Sequence, residues 1–171
     1  AERLQDVGIK ALTIHGRTRS QMYKGHSDWS YIAKVKNNPR IKIPIFGNGD
    51  IDCAEKALEY RNRYGIDGIM IGRAAIGYPW IFNEIKHYFA TGEQLASPTL
   101  GDRVLAARNH LIWSVEWKGE RQGVLEMRRH YANYFKGVAN FKEYRKRLVT
   151  LESAVEITTL LEEIGKMKVL L

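Results

Sequence analysis

Cysteine is almost absent from this sequence: Cys53 stands alone among 171 residues. One thiol supports neither a disulfide framework nor a CxxC metal site, and it points to a reducing, cytoplasmic setting. Long apolar runs are missing too. None approaches the ~20 residues that a membrane span needs, so no membrane partner is expected. Proline is sparse, with four residues, and no internal repeat or low-complexity tract breaks the chain. The sequence also lacks an initiator Met and a signal peptide. Its opening, AERLQDVGIKALTIHG, leads directly from what reads as the end of a helix into a strand, so a portion of a longer protein is expected.

What is present is 44% apolar residues, enough to bury a core in one ordinary domain or two small ones. A net charge of +8 suggests a polyanionic partner. That charge is unevenly placed. From Leu100 to Thr150 there are eleven Lys/Arg against five Asp/Glu, a net of +6, while the remaining residues carry sixteen against fourteen, a net of +2. Charge alone leaves a solvated helix face and a nucleic-acid surface equally open.

The first ninety or so residues alternate short β-type runs with helical stretches. Ala11–Ile14, Ile43–Phe46 and Gly68–Ile71 are the expected strands, with helix-like segments at Trp29–Val35 and Ala54–Arg63. Such alternation implies a parallel sheet with crossover helices. Asp52 is expected to cap the helix starting near Cys53, Pro79 to occupy a first-turn position, and Gly65 to close a helix in a positive-φ conformation. Gln94–Thr99, with Pro98, is expected to be a linker. Beyond it the apolar residues Val104, Ala107, Leu111 and Val115, then Val124, Met127, Tyr131 and Tyr134, then Val155, Thr158 and Leu161 recur at helical spacing. The expected division is residues 1–93 as an α/β part with a parallel sheet and 99–171 as an all-α bundle.

In a (β/α) barrel the chemistry gathers where the strands end. Here those ends are His15-Gly16-Arg17-Thr18-Arg19, Gly47-Asn48-Gly49-Asp50 and Gly72-Arg73-Ala74-Ala75-Ile76-Gly77. Glycines at 47, 49, 72 and 77 would let backbone approach a phosphate, and Arg73 adds a bidentate fork. The plainer reading of any one of these glycines is a tight turn. His15 is equally open to a structural imidazole, a base, or a hydrogen-bond partner of a cofactor ring. Arg17 and Arg19, taken alone, are ordinary surface charges, and Cys53 is a small apolar helical residue. Arg129 and Lys136 stand seven apart, bordered by Arg128, so one helix face would present them.

Four strings, TIHGRTRSQMYKGHSDW, PIFGNGDI, DGIMIGRAAIGYPWIF and MRRHYANYFKG, occur in that order, and together they closely resemble the tRNA-dihydrouridine synthase family from about Val7 to Leu148. The resemblance implies the C-terminal part of a (β/α)8 TIM barrel followed by a helical tRNA-binding domain. It also implies FMN-dependent reduction of uridine to 5,6-dihydrouridine in tRNA, with NADPH as reductant. By that resemblance His15 lies beside the flavin, Asn48, Gly49 and Asp50 border its ribityl and phosphate portion, and Gly72 with Arg73 holds the phosphate. Arg17 and Arg19 resemble tRNA contacts at the barrel mouth, and Arg128, Arg129, His130 and Lys136 the RNA-facing part of the helical domain.

Two departures stand out. The family's catalytic cysteine and flavin-contacting lysine lie on earlier strands that this chain does not contain, so no residue here is assigned a catalytic role and the chain alone is expected to be inactive. The segment from Gly137 to Arg145, GVANFKEYR, is bulkier and more charged than the family's Gly/Ala-rich turn. Two competitors remain: a small-molecule flavin oxidoreductase of the dihydroorotate-dehydrogenase-like type, and a non-catalytic RNA-binding module. Three strands without the rest of a barrel would also leave bare edges, so the chain is expected to self-associate.

Overall fold

A computed structural model describes residues 1–167. The last four residues of the helical domain expected at 99–171 lie outside the described ones. The chain forms two compact units, one of Ala1–Ala75 with Trp80–Leu95, the other of Ile76–Pro79 with the residues from Ala96 onward. Among the described residues no helix is long and apolar enough to cross a membrane.

The first unit is α/β. Strands β1 (Leu12–His15), β2 (Ile45–Asn48) and β3 (Gly68–Met70) form a parallel sheet in the order β1-β2-β3. The register sets His15 beside Asn48 and Asn48 beside Met70, so the strands finish level with one another. Helices α1 (Glu2–Asp6), α2 (Ser30–Lys36), α3 (Ala54–Tyr64) and α4 (Ile81–Thr91) accompany them. Both strand pairs are parallel and joined by helical crossovers, which puts all three C-terminal ends on one side.

The core beneath β2 is built on Trp29, 2% exposed. Its indole stacks on Tyr64 and meets the edge of Tyr60, while its N–H donates to the Gly49 carbonyl at 3.0 Å and the Ser27 hydroxyl at 3.1 Å.

Gly65 closes α3 in the left-handed conformation, as its position suggests. The other two expected helix starts are corrected. Cys53, in extended conformation, occupies the cap position of α3, and Asp52 pairs instead with Lys56 one turn on. Helix α4 begins at Ile81, so Pro79 precedes it by two residues.

The second unit packs α5 (Leu100–Lys118), α6 (Glu120–Tyr134), α7 (Lys142–Thr150) and α8 (Ala154–Gly165). A capping box between Thr99 and Asp102 starts α5 after an irregular stretch that matches the expected linker. Ala107, Leu111, Val124, Met127, Tyr131 and Tyr134 are buried as their spacing implies. Val155 is not: it is 74% exposed, and the inward face of α8 is Ile157, Leu160, Leu161 and Ile164. Helices α5 and α6 approach closely at Gly123, where a Cβ would stand 2.8 Å from the Ser114–Val115 backbone. The bulky segment after Gly137 serves the core: Phe141 is buried with its ring 4.7 Å from that of Phe135.

Ile76–Pro79 groups with this unit rather than with the strands that precede it. Gly77, at φ +68°, lies against Asn133 and Tyr134, and a Cβ there would come within 2.6 Å of the Asn133 Cβ.

Candidate functional site

The level strand ends open onto a cleft of about 660 Å³. His15, Asn48, Gly49, Asp50, Gly72 and Arg73, the six residues expected to border a cofactor, all line it. So do Tyr23, His26 and Lys56; the first two lie within the first family string but carry no assigned role there, and Lys56, in the first turn of α3, lies outside the strings.

The cleft is organised by one ion pair. The Arg17 guanidinium donates to both carboxylate oxygens of Asp50, at 2.8 and 2.7 Å, and to the Gly25 carbonyl at 2.5 Å. Asp50 also accepts from the Ser27 amide at 2.8 Å and from Arg73 at 3.2 Å. Partial burial alone would raise the Asp50 carboxyl, but the hydrogen bonds from Arg17 and Ser27 outweigh it and bring it down to about 2. Asp50 holds this position at φ +53°, in the left-handed region, a conformation that aspartate tolerates better than bulkier residues. The ends of β1 and β2 and the loop at 25–27 are thus tied to one carboxylate.

Arg17 is therefore not placed as expected. Its side chain is 4% exposed, and the RNA contact that the resemblance implies does not fit a guanidinium enclosed with Asp50. Arg19 is exposed, in a short 3-10 turn that follows the Thr18 cap.

His15 takes a defined orientation. Its Nδ1 accepts from the Arg17 backbone N–H at 2.9 Å, so the neutral ring carries its proton on Nε2. Asn48 donates to the Met70 carbonyl at 2.7 Å, bridging β2 and β3. Arg73 is the exposed partner of Asp50: its side chain is 55% exposed and its guanidinium lies 4.4 Å from the Tyr23 ring centre.

The four strand-end glycines separate sharply. A Cβ at Gly47 would stand 2.1 Å from the Trp29 ring, at Gly49 2.7 Å from Ser27, and at Gly77 against Asn133. Those three are glycine because protein occupies the space. At Gly72 nothing lies within 4 Å of the built Cβ, so it alone of the four offers open backbone to a ligand.

The residues expected to meet RNA in the helical unit divide between two hollows. Arg128 lines one with Glu120, Arg121 and Glu152 and donates to the Leu151 carbonyl at 3.3 Å. Arg129 and His130 line the other. Lys136 does not share a helix face with Arg129, because α6 ends at Tyr134; its backbone carbonyl accepts from Arg103 at 2.9 Å.

His130 packs on His110 with ring centres 4.7 Å apart, and the His110 Nδ1 lies 3.1 Å from the Tyr134 hydroxyl. Burial, with the charges of Arg129 and Lys118, holds both imidazoles below their ordinary range; Glu126 opposes this at His130. Histidines held down in the fold stabilise it above about pH 6.5 and cease to do so as the pH falls through their lowered values. Denaturant midpoints followed by helical signal should therefore decline below about pH 6.5, and His130→Gln should flatten the decline. A flat profile in the parent chain would contradict the packing of the pair.

Parallel strands ending level at a polar cleft with one open glycine and one exposed arginine define an α/β protein built to hold a ligand at its strand ends. A model described as Dihydrouridine synthase matches residues 1–168, and the chain belongs to that family. It is 40% identical over 163 residues to a probable tRNA-dihydrouridine synthase 1 of Synechocystis, covering 95% of this chain and 45% of the relative. Against a probable tRNA-dihydrouridine synthase of Rickettsia conorii it is 36% identical, with 98% and 52% covered. A tRNA-dihydrouridine synthase B of Pseudomonas putida is 40% identical, with 89% and 44% covered. The chain spans about half the length of these curated relatives.

Proposed function

We propose that this chain serves a cytoplasmic tRNA-dihydrouridine synthase, contributing the phosphate side of an FMN site and a helical tRNA-binding surface to a (β/α)8 barrel enzyme that uses NADPH. The observation that carries this reading is the strand-end cleft, with Gly72 open and Arg73 beside it, in a chain of the dihydrouridine synthase family. When bound, the flavin supplies the hydride that reduces the uracil 5,6 double bond.

The residues present fit a flavin phosphate. The cleft, at about 660 Å³, lies in the range of small-molecule sites. Arg73 presents a fork matched to phosphate, and Gly72 removes the side chain that would hold a ligand off the backbone. Asn48, Gly49 and Asp50 form one wall, and His15 offers an Nε2 donor to a ring acceptor. Arg17 keeps Asp50 charged and stationary instead of meeting the substrate. Arg73→Ala should weaken FMN binding while leaving riboflavin binding unchanged. Equal loss for both ligands, measured by flavin fluorescence quenching, would remove Arg73 from the phosphate site.

No acid within this chain is assigned to uracil protonation. Burial, the largest influence on Cys53, pushes its thiol upward, away from reactive thiolate character. Supplied with FMN, NADPH and unmodified tRNA, the 171-residue chain should form no dihydrouridine. Its sheet edges, β1 and β3, should also pair or stack with another copy, giving a mass by light scattering that falls on dilution.

Arg19, Arg128, Arg129, His130 and Lys136 are the proposed tRNA contacts. If they neutralise phosphates, affinity falls with salt at a log–log slope of about −0.7 to −0.9 per phosphate. Arg129→Glu should weaken binding across tRNAs alike. Salt-insensitive binding would reduce the basic face to a solvated surface.

A further inference from the structure

The helical unit carries a second hollow, of about 200 Å³, whose chemistry differs from that of a phosphate-binding surface. One wall is α5, where Trp113 and Trp117 stand one turn apart and are 64% and 82% exposed. Two indoles left in water on one helix face are costly, since each could bury roughly 150–250 Å² against a partner. The other wall is α6, with Arg129 at the rim, 71% exposed. The Lys118 ammonium lies 4.7 Å from the Trp117 ring centre and pairs with the Glu126 carboxylate. The floor is polar: the His110–His130 pair lies there, and the His130 Nδ1 is buried without a hydrogen-bond partner.

Apolar rings at the mouth, cations at the rim and imidazoles at the floor suit a flat heterocycle that carries both a π-face and hydrogen-bonding edges. An apolar helix face of a protein partner would cover the indoles but would leave the exposed Arg129 guanidinium unmatched. The segment around the hollow is also the basic part of the chain, with a net charge of +6 from Leu100 to Thr150. Unpaired RNA offers the complementary surface: bases that stack on aromatic side chains, next to phosphates that meet arginine and lysine.

We propose that this hollow receives an unpaired nucleobase of RNA, stacked on Trp113 or Trp117, with the adjoining phosphate on Arg129. The inference rests on the tRNA-binding reading given above. It adds a base-stacking subsite to a surface otherwise assigned to phosphates.

Tryptophan fluorescence tests it, because the indoles in question are exposed while Trp29 is buried and Trp80 half-buried, and the single-site variants assign the signal. The 171-residue chain is titrated with a single-stranded oligouridine, with an unmodified tRNA transcript and with inorganic polyphosphate, and iodide quenching is recorded at each endpoint. RNA should quench the emission and protect it from iodide, whereas polyphosphate should do neither. Trp113→Phe and Trp117→Phe each remove part of the signal while retaining a ring. The double alanine variant, checked for helical content and thermal unfolding, should bind oligouridine about tenfold more weakly. If tRNA binds with steep salt dependence yet both indoles stay equally open to iodide, the stacking subsite is refuted and the tRNA reading stands. Binding of neither RNA sinks both. Protection that grows with protein concentration in the absence of RNA assigns the hollow to a second copy and overturns the proposal.

Discussion

Gly47→Ala should cost the α/β unit about 3 kcal/mol and lower its melting temperature by on the order of 10–20 °C. The added methyl would stand 2.1 Å from one carbon of the Trp29 ring and 2.6 Å from another. That ring cannot retreat easily. Its N–H is held by the Gly49 carbonyl and Ser27, and its faces are held by Tyr60 and Tyr64. The informative control is Gly72→Ala, where the built methyl meets nothing within 4 Å. It should leave the melting temperature unchanged and weaken FMN binding, because its open space is proposed to be ligand space. Differential scanning fluorimetry and flavin titration of the two variants separate a packing glycine from a ligand glycine. Equal stability of both would contradict the placement of Trp29.

Sequence patterning located the strands and most of the helices because each is marked locally. β1, β2 and β3 fall within about two residues of their expected runs, and the buried face of α6 follows its helical period from Val124 to Tyr134. What the pattern could not carry is identity of partner. A glycine after a strand has the same appearance whether a phosphate or a tryptophan ring needs the space, and Trp29 lies 18 residues from Gly47 in the chain. Arg17 resembled a surface charge because its neighbours are polar, while its partner Asp50 comes 33 residues later. The seven-residue spacing puts Lys136 on the face of Arg129 only if α6 continues. The helix instead stops at Tyr134, before the first glycine that could have signalled its end, Gly137. The family motifs identified which residues border the cleft, but the division of labour among them belongs to tertiary structure. Trp113 and Trp117 are not legible in the sequence for a related reason: helical spacing marks what is buried, and these two side chains are exposed.

The largest loss is expected from breaking the Arg17–Asp50 pair on one side. The Arg17 side chain is 4% exposed and that of Asp50 18%, so neither charge can be handed to solvent without moving the loops that enclose it. Removing one member of a buried ion pair costs about 3–5 kcal/mol, mostly because the other is left uncompensated. Asp50→Asn should fall in that range, since Arg17 would retain its charge with only the Gly25 carbonyl and a neutral amide to meet it. Arg17→Met together with Asp50→Asn should recover much of the loss, as both charges are then gone. Arg73→Ala, at an exposed side chain sharing the same carboxylate, should change stability by less than about 1 kcal/mol. The pair also sets an acid limit. With its folded value drawn down to about 2, Asp50 contributes stability that is complete above its unfolded value near 4 and disappears as the pH falls towards 2, on the order of 2 kcal/mol in all. Urea midpoints of the parent chain should therefore drop steeply between about pH 4 and pH 2, and the double variant should lose that part of the slope. If Asp50→Asn alone were as stable as the parent at neutral pH, the strand ends would not be held by this carboxylate, and the positioning role assigned to Arg17 would fail with it.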